Sequence, residues 1–140
     1  MSTEQPSIFT RIINREIPAD IIYEDDSVMA FLTIEPINQG HTLIVPKVPF
    51  TNIFDADESV IGHMMSIAKK ISNAIIASEL GDGVNLIMNN GTTAGQEVFH
   101  AHLHVVPSHE HDNSLAKPTH VAYAPGESHL IANTISSALN

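Results

Sequence analysis

The chain has 140 residues, enough for one domain with a single core and too few for two independent ones. Sixteen Asp and Glu against six Lys and Arg give a formal charge of −10, which argues against a nucleic-acid surface held by counterion release. The absence of cysteine excludes disulfides, thiol nucleophiles and thiolate-ligated zinc. No apolar run is long enough to span a bilayer, and the stretch from Met1 to Pro6 lacks the basic and apolar blocks of a signal peptide. The expected setting is cytoplasmic, with no membrane and no nucleic acid as partner. Any bound anion would have to be held locally, by backbone N–H groups and imidazoles.

In chain order, Ser7 is a capping residue ahead of apolar positions 8, 9, 12 and 13, which predicts a short amphipathic helix that ends at Glu16-Ile17-Pro18. Ile21 to Glu24, Val28 to Ile34 and Thr42 to Val45 are short apolar or β-branched runs separated by turn-forming segments, a pattern that predicts a meander of antiparallel strands. From Asp57 to about Leu80 the apolar residues fall near helical spacing, and Gly81 supplies a stop. Val84 to Met88 and Val98 to Val106 predict two further strands, joined by the small-residue loop from Asn89 to Gly95. Residues 109–125 are polar and contain Pro, as a surface loop does, and Glu127 to Leu139 predicts a final helix.

The chemistry concentrates in the second of those late strands. His100, His102 and His104 alternate with Phe99, Ala101, Leu103 and Val105, the period of two that puts all three imidazoles on one face with Cα atoms ~6.6 Å apart. A nucleophilic imidazole must be neutral, with one nitrogen donating a hydrogen bond and the other lone pair aimed at the electrophile. A strand carbonyl can accept from Nδ1–H and leave Nε2 exposed, while flanking imidazoles and loop amides stabilise developing charge. Gly91 and Gly95 permit the backbone conformations of an anion-binding loop beside them. Three readings of the row stay open at this point: a phosphate-directed nucleophile, a metal site, and a solvated polar face.

The segment from Gly95 to Pro107 resembles the signature of the histidine triad (HIT) superfamily, and similar stretches occur in the same order from Ile8-Phe9 through Gly40-His41-Thr42 to Asn89-Asn90-Gly91. The similarity covers about residues 7 to 108 of a single HIT domain spanning 1–140, with a variable tail from 109 to 140. It implies an α+β fold with a five-stranded antiparallel sheet per protomer, usually a homodimer, with a purine nucleotide as substrate. It further implies a hydrolase or transferase, such as a phosphoramidase or a dinucleoside polyphosphate hydrolase. By this resemblance His102 is the nucleophile, His100 orients it through its backbone carbonyl, His104 contacts phosphate, and His41 supports the triad from a distance. Asn89 and the backbone of Gly95, Gln96 and Glu97 match phosphate-binding positions. Ile8, Phe9, Ile12, Phe31, Leu32 and Ile34 match a base pocket, although plain core packing explains apolar residues equally well.

Three departures from the family pattern stand out. Thr33 replaces the usual Asp that bonds both ribose hydroxyls, and a hydroxyl cannot accept two charge-assisted bonds as a carboxylate can. Weaker or less ribose-selective binding is expected. Glu97 stands where a small hydroxyl residue is common, so its side chain is expected to turn away from phosphate. Many bacterial relatives hold structural zinc through positions that here are Ser7, Thr10, Pro49 and His100; three of the four ligands are gone, and no zinc or other cofactor is expected. His63 is expected at the surface or in packing, and His109 with His111 in a solvated loop. Beside the enzyme, the alternatives are a nucleotide-binding regulatory module with little turnover and a protein that uses the triad as metal ligands.

Overall fold

The computed structural model describes residues 5–112, 115 and 118–139. Helix α1 spans Ile8–Ile13, and the Ser7 side chain caps it by accepting the Thr10 N–H at 3.0 Å. Strands β1 (Ile21–Glu24) and β2 (Val28–Leu32) follow as a hairpin. One carboxylate oxygen of Asp25 accepts both the Ser27 and the Val28 N–H, at 2.8 and 2.9 Å, which closes the turn between them. Strand β3 (Thr42–Pro46) pairs with β2, and the long helix α2 spans Glu58–Ala77, capped by Asp57 through the Ser59 and Val60 amides. Strands β4 (Gly83–Ile87) and β5 (Leu103–Ser108) complete the sheet, and α3 (Glu127–Ala138) ends the described chain.

The expected α+β fold with a five-stranded antiparallel sheet is present, in the order β1-β2-β3-β5-β4. Its two faces divide the apolar residues by the strand period of two. Val28, Ala30, Ile44, Leu103 and Val105 face α2 and pack on Met64, Ile67, Ala68, Ile71 and Ile75. Met29, Phe31, Leu43 and Val45 face the other way, onto Phe9 and Ile12 of α1. A sheet covered on both sides explains why β2 and β3 are continuous apolar runs without polar alternation. Each fully buried Ile or Leu contributes ~1.5–3 kcal/mol, so α2 is the main stabilising layer and α1 the minor one.

Some boundaries differ from the sequence expectation. Strand β2 stops at Leu32 instead of Ile34, because the chain turns at Glu35-Pro36 and Thr33 bonds back to the His41 carbonyl at 3.2 Å. The turn returns through Gly40, whose φ of +91° is left-handed and whose missing Cβ would lie 3.2 Å from Pro107. Helix α2 ends at Ala77, with Glu79 at a φ of 59°, earlier than Gly81. The described residues within 109–125 carry no helix or strand, and residues 113, 114, 116 and 117 of that expected loop lie outside the described set. Every residue of α3 is exposed.

Candidate active site

The histidine segment is not one continuous strand. Strand β5 begins at Leu103, so only His104 lies in the ladder, opposite Leu43 of β3 and Ile87 of β4. The expected strand from Val98 is therefore corrected over residues 98 to 102. The backbone groups that would have laddered are engaged by Phe50, between β3 and α2, and by Gln96 of the loop between β4 and β5. The Ala101 N–H donates to Phe50 O at 2.8 Å, and the Gln96 amide donates to Val98 O at 3.0 Å.

Each imidazole has a distinct set of partners. His100 is buried, at 1% exposure, with Nε2 2.8 Å from Pro46 O. A carbonyl only accepts, so that nitrogen carries the proton, and Nδ1 accepts from the Ser7 hydroxyl at 2.6 Å. His102 turns Nδ1 to the His100 carbonyl at 2.8 Å, which by the same reasoning makes Nδ1 the donor and leaves the lone pair on Nε2. Its ring meets Phe9 edge-on at 4.9 Å and His104 at 5.0 Å. His104 in turn has Nδ1 2.9 Å from Nε2 of buried His41. Burial holds all four below the ordinary imidazole value of 6.5, most strongly for His104, which is lowered to about 4 by burial and then by His102 and His41 beside it. The bond to His100 O opposes that shift at His102. At neutral pH the row is uncharged, and His102 presents an unprotonated nitrogen.

The adjoining loop runs through Gly91 and Gly95, both left-handed at φ of 99° and 98°. Its amides turn inward: the N–H groups of Ala94 and Gln96 bond Gly91 O, and that of Gly95 bonds Thr92 O. The Gln96 side chain is buried and fully engaged. Its oxygen accepts from Asn52 Nδ2 and Gly91 N at 3.1 and 2.9 Å, and its nitrogen donates to Thr51 O and Val98 O. Gln96 is thus a clamp on the loop, and its own N–H and amide are spent within the fold rather than presented to phosphate. Asn89 lies against Gly95, where an added Cβ would sit 3.6 Å from Asn89 Nδ2. Glu97 is exposed and lines a cavity of about 700 Å³ together with Ser7, Ile8, Pro49 and His100.

The middle imidazole is thus held by the carbonyl of His100, and the row stands beside a Gly-rich loop. The model of the HIT domain family matches residues 14–111. The chain belongs to the HIT family. An uncharacterised HIT-like protein of Borreliella burgdorferi is 44% identical over 107 residues, which cover 75% of this chain and 77% of that one. The adenylylsulfatase HINT3 of Arabidopsis thaliana is 40% identical over 105 residues, covering 75% of this chain and 53% of that one. The crystal structure of a HIT family protein from Bacillus anthracis superposes with a TM-score of 0.90 at 37% identity, covering 99% of this chain and all of the other.

The HIT positions assigned to base and ribose fall in three places. Phe9, Ile12 and Phe31 are buried in the α1 face of the core. Leu32, Thr33 and Ile34 line a separate cavity of about 580 Å³ with Pro18, Asp20 and Pro36, and Ile8 opens instead toward the cavity beside His100. The Thr33 hydroxyl accepts the Glu35 N–H at 3.2 Å.

Nor do the residues at the zinc positions of this HIT chain fit a metal. The hydroxyls of Ser7 and Thr10 lie 2.6 and 3.4 Å from His100 Nδ1, so the nitrogen that would coordinate is already an acceptor of a hydrogen bond, and Pro49 has no side-chain donor. Among the described residues no group of three or more His, Cys, Asp or Glu is placed to hold an ion. Nothing in the local sequence around His100 announces this hydroxyl clasp; its one signal is the joint presence of hydroxyl residues, Ser7 and Thr10, at two of the zinc positions. His63, expected in a surface or packing role, bonds Asp25 at 2.6 Å, and Tyr23 donates to the same oxygen, tying α2 to the first hairpin. No helix among the described residues is long and apolar enough to cross a membrane.

Proposed function

We propose that this HIT protein cleaves at the α-phosphate of nucleoside phosphoramidates or dinucleoside polyphosphates through a nucleotidyl intermediate on His102, with a purine nucleotide as the bound group. The observation that carries this reading is the bond from His102 Nδ1 to His100 O, which leaves Nε2 as the only nucleophilic nitrogen of that ring. In the first step Nε2 bonds to phosphorus, the phosphorus bond to the amine or phosphate breaks, and the departing group keeps that electron pair. The N–H of His104, alongside at 5.0 Å, is placed to donate a hydrogen bond to the departing group, which takes its proton from solvent. In the second step water attacks phosphorus and gives up a proton to solvent, the P–Nε2 bond breaks with its electron pair returning to His102, and a nucleoside monophosphate leaves. The Arabidopsis relative is an adenylylsulfatase, which supports an adenylyl group as the transferred unit.

Incubation with adenosine 5′-phosphoramidate and rapid quenching in alkaline denaturant, in which a P–N bond survives, is expected to yield an adenylylated peptide at His102 by mass spectrometry. His102→Ala is expected to lower turnover by ~10⁴-fold or more. Undiminished turnover in that variant would sink the mechanism. Thr33 favours a second reading, a homodimeric nucleotide-binding module with little turnover, for which binding without hydrolysis across a panel of phosphoramidates and dinucleotides is the diagnostic result. In either reading the protein works without zinc; stoichiometric zinc in metal analysis of tag-free protein would overturn that.

A further inference from the structure

His41 stands at the start of β3, at the end of a tight turn from Thr33. Its ring is 3% exposed and its two nitrogens have different partners. The Ile37 main-chain N–H donates to Nδ1 at 3.0 Å, and Nε2 faces His104 Nδ1 at 2.9 Å. An amide N–H can only donate, so His41 Nδ1 must be the acceptor and the ring proton must sit on Nε2. That proton then points at His104 Nδ1, which is obliged to accept, and the His104 proton falls on its own Nε2. The turn is itself closed by the His41 N–H to Asn38 O at 3.0 Å, which fixes the amide relative to the ring.

We propose that the main-chain amide of Ile37 is a positioning group for the site: through His41 it holds His41 and His104 neutral, each with its proton on Nε2, beside His102. This rests on His102 as the nucleophile. A second proton on His41 would have to enter at Nδ1, where it would set one N–H against another, and the same conflict arises at His104 Nδ1. Among the described residues, the titratable groups that face His104 are His41, ahead of β3, and His102, ahead of β5; α1 presents the uncharged ring of Phe9 to His102. With both neighbours held neutral, no cation competes for the His102 lone pair, and the two imidazoles that meet phosphate have opposite character. His102 offers a lone pair and His104 an N–H donor.

Three proteins test this: the full chain, Ile37→Pro and His41→Gln. Proline removes the amide hydrogen, and Ile37 is 41% exposed, so its side chain is not a core element. Glutamine keeps an amide donor at the distance of Nε2 without needing a tautomer. The measurement is the imidazole ¹⁵N spectrum of ¹⁵N-histidine-labelled protein through an acid titration, which distinguishes both tautomers and the cation. The full chain is expected to show Nε2–H at His41 and His104 with both neutral at pH 6. Ile37→Pro is expected to bind a proton at His41 ~10-fold more tightly, a midpoint shift of about one unit. His41→Gln is expected to keep His104 in its Nε2–H form. Nδ1–H at His41 or His104 in the full chain would overturn the proposal, even if Ile37→Pro does not fold, and so would an unchanged His41 midpoint in a folded Ile37→Pro. Adduct formation at His102 in the full chain reports separately on the catalytic reading, because it is detected by mass whatever the ¹⁵N spectrum shows for the His41 proton.

Discussion

At the scale of single residues, the chemistry follows from which nitrogen each histidine has left over. His102 has Nε2 left over because Nδ1 is engaged by His100 O, and burial lowers its affinity for protons below that of an ordinary imidazole. Activity should therefore be insensitive to pH from neutrality down to about 6.5 and fall only below that value, as His102 protonates. A kcat/KM profile whose acid limb has its midpoint above 6.5 would contradict this. Thr33 bears on the ribose: Thr33→Asp is expected to raise the preference for AMP over dAMP by ~10-fold, the worth of one or two charge-assisted bonds. Equal dissociation constants for the two nucleotides in the variant would show that residue 33 does not meet the sugar. His102 and His104 were legible from sequence because alternation is a local property. The Ser7 contact to His100 was not, since it joins residues 93 positions apart through a hydroxyl that has many possible partners.

At the scale of elements, the strands and helices were legible where two faces of a layer impose a period. The first hairpin, β3 and α2 lie close to the expected spans, because each must bury an apolar stripe. The segment from Val98 to His102 was misjudged as strand for a physical reason: its alternation is real, but its backbone partners are Phe50 and Gln96 instead of a neighbouring strand. Nothing in the local pattern reveals that a side-chain amide 45 positions from Thr51 will replace a ladder. The same clamp makes a strong prediction. Gln96→Leu would strand the buried Asn52 amide and the part-buried Gly91 N–H and two carbonyls, and is expected to cost ~3 kcal/mol in urea denaturation. A loss under about 1 kcal/mol would show that the loop holds its shape without it.

At the scale of the whole molecule, four imidazoles are kept neutral by burial within one region of the fold, which links stability to pH. Each has a folded-state pKa depressed below the unfolded value of 6.5, so the unfolded chain binds more protons as the solution is acidified. Their contribution is complete above about pH 6.5 and is lost progressively as pH falls through the folded values, to about 4 for His104. Thermal melts between pH 7 and 4.5 are expected to show a falling midpoint, and a flat profile would mean these rings are hydrated in the folded state. The overall layer arrangement was legible in the sequence, whereas the exposed course of α3 was not, because an amphipathic pattern records that a stripe exists and not what it meets. The unequal weight of the two layers has one more consequence. Helix α1 has six residues, fewer than two turns, yet it supplies the Ser7 clasp on His100 and the Phe9 edge against His102. Short terminal helices open at free energies well below that of global unfolding. Under the proposed function, heat inactivation is therefore expected to precede the melting of the sheet, and a better-anchored α1 is expected to narrow the gap between the loss of turnover and the loss of far-ultraviolet dichroism.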